Sequence, residues 1–214
     1  MQQEIASEWD NIEDTLRNDE LWLFLNEKGY SRPTRIDFIF DLICEQNKLG
    51  LNDEKYGMIG SDDYRTFRYF YEYFHSDQSS IEKCWNEVKA YFQTFKEWYE
   101  DLELYHYVGY LIVHGHTIHN LVAEWNASAD KSYFMIGLKK KIAGEIKKCP
   151  PLDYQYKADG SDKGKCKPIL LFHNIQTIVN QNKNNLDNVR YQIGIFHKFP
   201  FHLYKIESWD VEHI

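Results

Sequence analysis

Between Ile81 and Leu102 the apolar residues Ile81, Trp85, Val88, Phe92, Phe95, Tyr99 and Leu102 recur at alternating steps of four and three. That repeat sets all seven on one side of an α-helix of about six turns. A strand cannot use such spacing, because its side chains change face at every residue. Ser79 with Glu82 three residues later opens the element as a capping box. The stripe must be covered lengthwise by other helices, so a helical architecture is imposed before anything else is read. Helices of the same chain are expected to cover it. Coiled-coil pairing of two copies, and hence a homo-oligomer, is the alternative.

The flanking sequence agrees. Ser7 is placed as the cap of a helix carrying Trp9, Ile12 and Leu16, and Asn18 starts another with Leu21, Trp22, Phe24 and Leu25 on its apolar face. Thr34 and Asp37 resemble a capping box before Ile36–Ile43, and Asp62 or Asp63 opens an aromatic helix with Tyr64, Phe67, Phe70 and Phe74. Tyr105–Val113 is apolar and breaks near Gly115; Asp130 caps a helix running to Lys148, stopped by Pro150 and Pro151. Residues 152–167 read as a Lys/Asp/Gly loop and a boundary, followed by a helix from Pro168 and a polar loop over Asn180–Asn188. Beyond Tyr191 the pattern turns strand-like, with Phe199, Phe201 and Leu203 alternating against Pro200, His202 and Tyr204. The expected fold is mainly α: a helical bundle-like body over 1–150, then 151–214 with a linker, a helix and a short β element at the C-terminus.

Charge is distributed unevenly. Residues 1–130 hold 11 Lys/Arg against 25 Asp/Glu, whereas 131–214 hold 14 against 8. An acidic body repels a phosphate backbone, so any DNA contact belongs to the basic part. Lys139, Lys140, Lys141, Lys147 and Lys148 are the DNA-binding candidates. No run approaches the roughly 18 apolar residues that cross a bilayer, and the acidic N-terminus is no secretory signal. Four scattered cysteines without a CxxC pair read as reduced thiols, so the expected location is cytoplasmic. His114, His116 and His119 form an H-x-H-x-x-H run with no Cys or Asp nearby. It reads as polar residues at a helix break rather than as a metal site, and no metal ligands are assigned.

The last six residues, Trp209 to Ile214, place a Glu-His pair after the strand-like run. A carboxylate and an imidazole at a strand end form half of many hydrolytic metal sites. The sequence is therefore read as stopping inside a catalytic motif of a larger protein.

The string from Phe199 to Ile214, ending in Trp-Asp-Val-Glu-His-Ile, resembles the start of the HNH (His-Me finger) domain of the GmrSD family, the modification-dependent type IV restriction endonucleases. Asn18–Asn26, Thr34–Ile43, Trp98–Ile112 and Pro168–Ile178 resemble the helical middle of the same family, in the same order. The resemblance implies a phage-defence enzyme with a ParB-like nucleotidase domain and a C-terminal nuclease that cuts foreign or modified DNA. It implies His213 as the general base, with Glu212 and Asp210 as secondary candidates for orienting the site. NTP and a divalent cation, Mg, are implied for the intact enzyme, with no cofactor in this chain. DNA and the enzyme's other domains are the implied partners. The family's Asp-Gly-Gln-Gln-Arg motif is absent, so this chain is expected to act as a helical connector without a complete active site. The alternative is a freestanding helical protein-interaction module.

Overall fold

The computed structural model describes residues 2–25, 33–47, 64–76, 80–149, 163–185, 197–207 and 209. The helices are α1 (Gln2–Leu16), α2 (Asp19–Leu25), α3 (Asp37–Asn47), α4 (Arg65–Ser76), α5 (Ser80–Glu100), α6 (Leu102–Val113), α7 (Ile118–Ala127), α8 (Lys131–Lys147), α9 (Lys167–Asn185) and α10 (Phe201–Ile206). The fold is mainly α, and no strand occurs among the described residues. Nor is any described helix long and apolar enough to cross a membrane. The chain forms two compact units, Met1–Glu97 with Thr117–Asn126, and Trp98–His116 with Ala127–Ile214.

In the first unit the stripe of α5 is largely covered by its own chain: Trp85, Val88, Phe92 and Phe95 are buried. Trp9 of α1 stacks on Trp85 at 6.1 Å, and Phe38 of α3 stacks on Phe95 at 6.3 Å. Glu8 accepts the indole N–H of Trp85, which satisfies the one polar atom that this large ring carries inward. Asn18 caps α2 as expected. Its side-chain oxygen accepts from the backbone N–H of Glu20 at 2.9 Å and of Leu21 at 3.2 Å. The start of α3 is held from a distance as well. The Glu13 carboxylate of α1 accepts from the N–H of Arg35 at 3.3 Å and of Ile36 at 3.0 Å. These are donors that the helix itself leaves unpaired. Arg65 of α4 is buried and paired with Glu45 of α3, which locks these two helices electrostatically.

The second unit is organised on α6, whose residues Leu104–Ile112 are all buried. Asp101, in extended conformation (φ −80°, ψ 122°), caps it by accepting from Leu104 N–H at 2.9 Å. Helices α8, α9 and α10 all pack against α6. Trp98 stacks on Phe134 of α8 at 5.9 Å, with the ring planes 7° apart. Tyr107 donates to the Gln176 side chain of α9 at 3.1 Å, and Tyr110 to the Pro168 carbonyl at 3.2 Å. The polar tips of the buried rings thus find partners on α9. At the far end of α6, Gly115 takes a positive φ of 87°, which ends the helix before α7.

Several local expectations are corrected. Ser7 lies inside α1, which starts at Gln2 through a run of good helix formers. The α5 stripe ends at Glu100: Asp101 breaks the helix by capping the next one, so Leu102 belongs to α6. The 118–127 helix went unassigned in the sequence. Helix α9 continues through the polar run to Asn185, supported by side chains that bond back one turn, Thr177 to His173 O and Asn182 to Ile178 O, each at 2.9 Å. The expected β element at 199–204 is instead the start of the helical turn and a half of α10, with Tyr204 N–H reaching Pro200 O at 3.1 Å. A strand needs a neighbour for its ladder; here both backbone groups of Phe199 are taken by side chains of α6, as described below. The caps expected at Ser79, Asp62 and Asp63 lie outside the described residues.

The covering of the α5 stripe gives a direct test. Phe95→Ala should cost about 3–5 kcal/mol in urea unfolding of the chain. Ile81→Ala, on the same stripe but 51% exposed, should cost less than about 0.5 kcal/mol. Equal, small losses at both positions would mean that the stripe is not part of the chain's own core.

Candidate functional site

Asp210, Glu212 and His213 lie outside the described residues. What the structure does describe is the stretch that leads to them, Lys198 to Glu207 and Trp209, and how it is held on α6. The central residue is His106. It is fully buried, and its two ring nitrogens serve opposite roles. Nδ1–H donates to Leu102 O one turn back (2.6 Å), while Nε2 accepts the backbone N–H of Phe199 (3.0 Å). That pair of bonds requires a neutral imidazole with its proton on Nδ1. Burial pushes the His106 pKa down to about 4, against the opposing pull of the Leu102 carbonyl and helped by the positive charge of Lys198.

The other backbone group of Phe199 is satisfied from the same helix: its carbonyl accepts the hydroxyl of Tyr105 at 2.8 Å. One turn along α6, Gly109 leaves room for the ring of Phe201, which would overlap any Cβ placed there. Phe201 is fully buried and sits 5.4 Å from the Tyr105 ring and 5.0 Å from Phe199. Lys198 anchors the start of the stretch. Its ammonium lies 3.5 Å from the centroid of Tyr99 and 4.9 Å from that of Tyr105, and it donates to the Tyr99 carbonyl. At the other end Trp209 packs against Phe199 (5.6 Å) and Tyr204 (5.5 Å), and its carbonyl accepts from Lys167 Nζ at 2.8 Å. Backbone hydrogen bonds, ring packing and a cation thus hold the stretch, the last of these contacts being made at Trp209.

The five lysines expected to meet DNA do not share one environment. Lys139 lies over the Tyr107 ring at 5.8 Å, Lys141 is half-buried, and Lys148 is paired with both oxygens of Glu145 at 2.8 Å. Lys140 and Lys147 are exposed, seven residues apart on one side of α8. His114 donates through Nδ1 to Tyr110 O (2.7 Å), and His116 meets Glu145 through Nε2 (3.1 Å). Among the described residues no three His, Cys, Asp or Glu side chains converge as a metal site would require. All four cysteines are free, and burial pushes the Cys84 thiol up to about 12, far from a thiolate nucleophile.

Sequence reasoning missed His106, Gly109 and Lys198. The available signal was a single imidazole and a single glycine three residues apart inside an otherwise apolar and tyrosine-rich run. Lone residues of that kind carry no period, and their partner lies 93 residues further along the chain. No family model, curated protein or solved structure matches the chain.

The buried imidazole makes stability depend on acid in a defined window. The unfolded state takes up a proton near the ordinary histidine pKa of about 6.5, whereas the folded state resists until about 4. The contribution is complete above about pH 6.5 and is lost as pH falls toward 4, on the order of 3 kcal/mol in all. His106→Gln, which keeps an acceptor for Phe199 N–H but does not titrate, should flatten that part of the stability–pH profile relative to the unsubstituted chain. Superimposable slopes for the two proteins would contradict the assignment.

Proposed function

We propose that this chain is the helical connector of a GmrSD-like restriction endonuclease, an enzyme of phage defence in which nucleotide sensing is linked to cleavage of foreign or modified DNA. The supporting observation is the mooring on α6 of the stretch from Lys198 that leads to Trp209. A connector to a nuclease needs a rigid exit: the polypeptide entering the catalytic motif must leave the helical body from a fixed point. Here the exit is held by α6, by its own aromatic cluster and by Lys167. The segments that resemble the family's middle region fit this role. They fall on α2, α3, the α5–α6 junction with α6, and α9, which supply much of the two cores. They are scaffold rather than chemistry.

In this reading His213 is the general base toward water at the phosphodiester, with Glu212 and Asp210 orienting it. A divalent cation, supplied in the intact enzyme, would neutralise charge developing on the phosphate. NTP belongs to the nucleotidase domain, since no Asp-Gly-Gln-Gln-Arg motif occurs here. DNA and the remaining domains of the enzyme are the partners.

A protein-interaction module is the second reading, favoured by one feature. Tyr64 is 69% exposed, and on α4 Phe67 is 67% and Tyr71 55% exposed. The Phe67 and Tyr71 rings lie 6.1 Å apart. Solvent-exposed aromatic surface of this kind suits a protein contact. The reading frame at the source locus separates the two. The connector reading expects the frame to run past the Ile214 codon into further His and Asn residues of an HNH site. The protein so encoded should then cut DNA with a divalent cation and lose that activity in His213→Ala. A natural stop codon directly after Ile214 would overturn the connector reading in favour of the interaction module.

A further inference from the structure

The outer face of α8 has a composition that the packing of the chain does not account for. Tyr133, Ile136, Lys140, Ala143 and Lys147 follow at steps of three and four, so they share one side of the helix. Tyr133 is 68% and Ile136 64% exposed, and Lys140 and Lys147 are exposed as well. Beside them lie Gly137 and Gly144, seven residues apart. A Cβ at either position would meet no atom within 4 Å. Glycine is a poor helix former, and at Gly109 the close approach of Phe201 explains it. At Gly137 and Gly144 nothing among the described residues does. The electrostatics of this helix are one-signed: its single carboxylate, Glu145, is shielded and held by Lys148 and His116. Lys131 is paired with Asp101. Lys140 and Lys147 make no ion pair among the described residues.

We infer that this face of α8 docks the sugar–phosphate backbone of a nucleic-acid duplex. Lys140 and Lys147 each meet a phosphate as point charges; Gly144, with only the methyl of Ala143 beside it, lets the strand come close between them, and Gly137 does so one turn before Lys140. Seven residues of helix span about 10 Å, roughly three nucleotide rises along one strand. A protein partner fits less well, because protein interfaces keep charge at the rim, and here the exposed Lys140 stands at the middle of the face. Two copies pairing through α8 would set lysine against lysine. The inference rests on the DNA-acting reading above and assigns it a surface.

The test is fluorescence anisotropy of the whole chain with a labelled mixed-sequence duplex, titrated between about 50 and 200 mM salt. The chain should bind, and Lys140→Gln with Lys147→Gln should lower the log–log salt slope by about 1.8. Lys139→Gln with Lys148→Gln, at groups engaged within the chain, should change it less. Gly137→Ala with Gly144→Ala should weaken binding several-fold at constant salt while raising Tm by roughly 4–8 °C, which separates lost approach from lost fold. Absence of binding, or binding indifferent to both double substitutions, overturns the inference. So does capture of an acidic polypeptide such as polyglutamate in preference to the duplex. A frame that encodes the nuclease together with a chain that ignores DNA would refute the α8 surface alone. Binding through α8 with a stop codon after Ile214 would refute the connector and leave the surface standing.

Discussion

A helix that is buried on every side has to find a partner for every polar atom that it carries. Helix α6 is in that position from Leu104 to Ile112, and the arrangement of the second unit follows from how its polar atoms are met. Three tyrosine hydroxyls and one imidazole project from it. The Tyr107 and Tyr110 hydroxyls fix the register of α9, while Tyr105 and His106 take the two backbone groups of Phe199. Leaving any of these atoms unpaired in the core would cost about 1–3 kcal/mol, comparable to a good part of a domain's net stability. The hydrogen bonds therefore act less as a source of stability than as a condition on which packing is allowed. Gly109 adds a steric condition to the polar ones, admitting a phenyl ring where any side chain would exclude it.

The first unit is built by other means. Its core is assembled from aromatic rings on helices that are each buried along one face, and its specificity comes from carboxylates of α1 and α3 that reach across: Glu8 to Trp85, Glu13 to the start of α3, Glu45 to Arg65. Acidic residues that a composition count assigns to a solvated face thus include structural ones. The unit as a whole carries 21 Asp/Glu against 11 Lys/Arg, and the second carries 12 against 14. The proposed phosphate contact falls in the less acidic of the two, on the side of α8 that carries Lys140 and Lys147.

Much of this was legible in the sequence because it is periodic or local. The α5 stripe, the Asn18 and Asp130 caps and the apolar run of α6 can be read within one or two helical turns. What was not legible depends on distant partners. Phe199, Phe201 and Leu203 alternate as a strand would, yet the backbone of Phe199 is claimed by α6 and the chain turns helical at Phe201. Period-two spacing over so few residues is outweighed by two hydrogen bonds from residues over 90 positions away. The lysine cluster was legible as charge but not as geometry. Which ammonium lies on a ring, which is paired and which is open is decided by neighbours such as Tyr107 and Glu145.

The central claim is that α6 holds the stretch leading to Asp210 as firmly as it holds its own core. Native-state hydrogen exchange of the Phe199 amide tests it most directly. Because that N–H is donated to a buried imidazole on α6, it should exchange with the same opening free energy as the amides of Val108 and Leu111. Exchange of Phe199 at the rate of an unprotected loop, while α6 stays protected, would contradict the account.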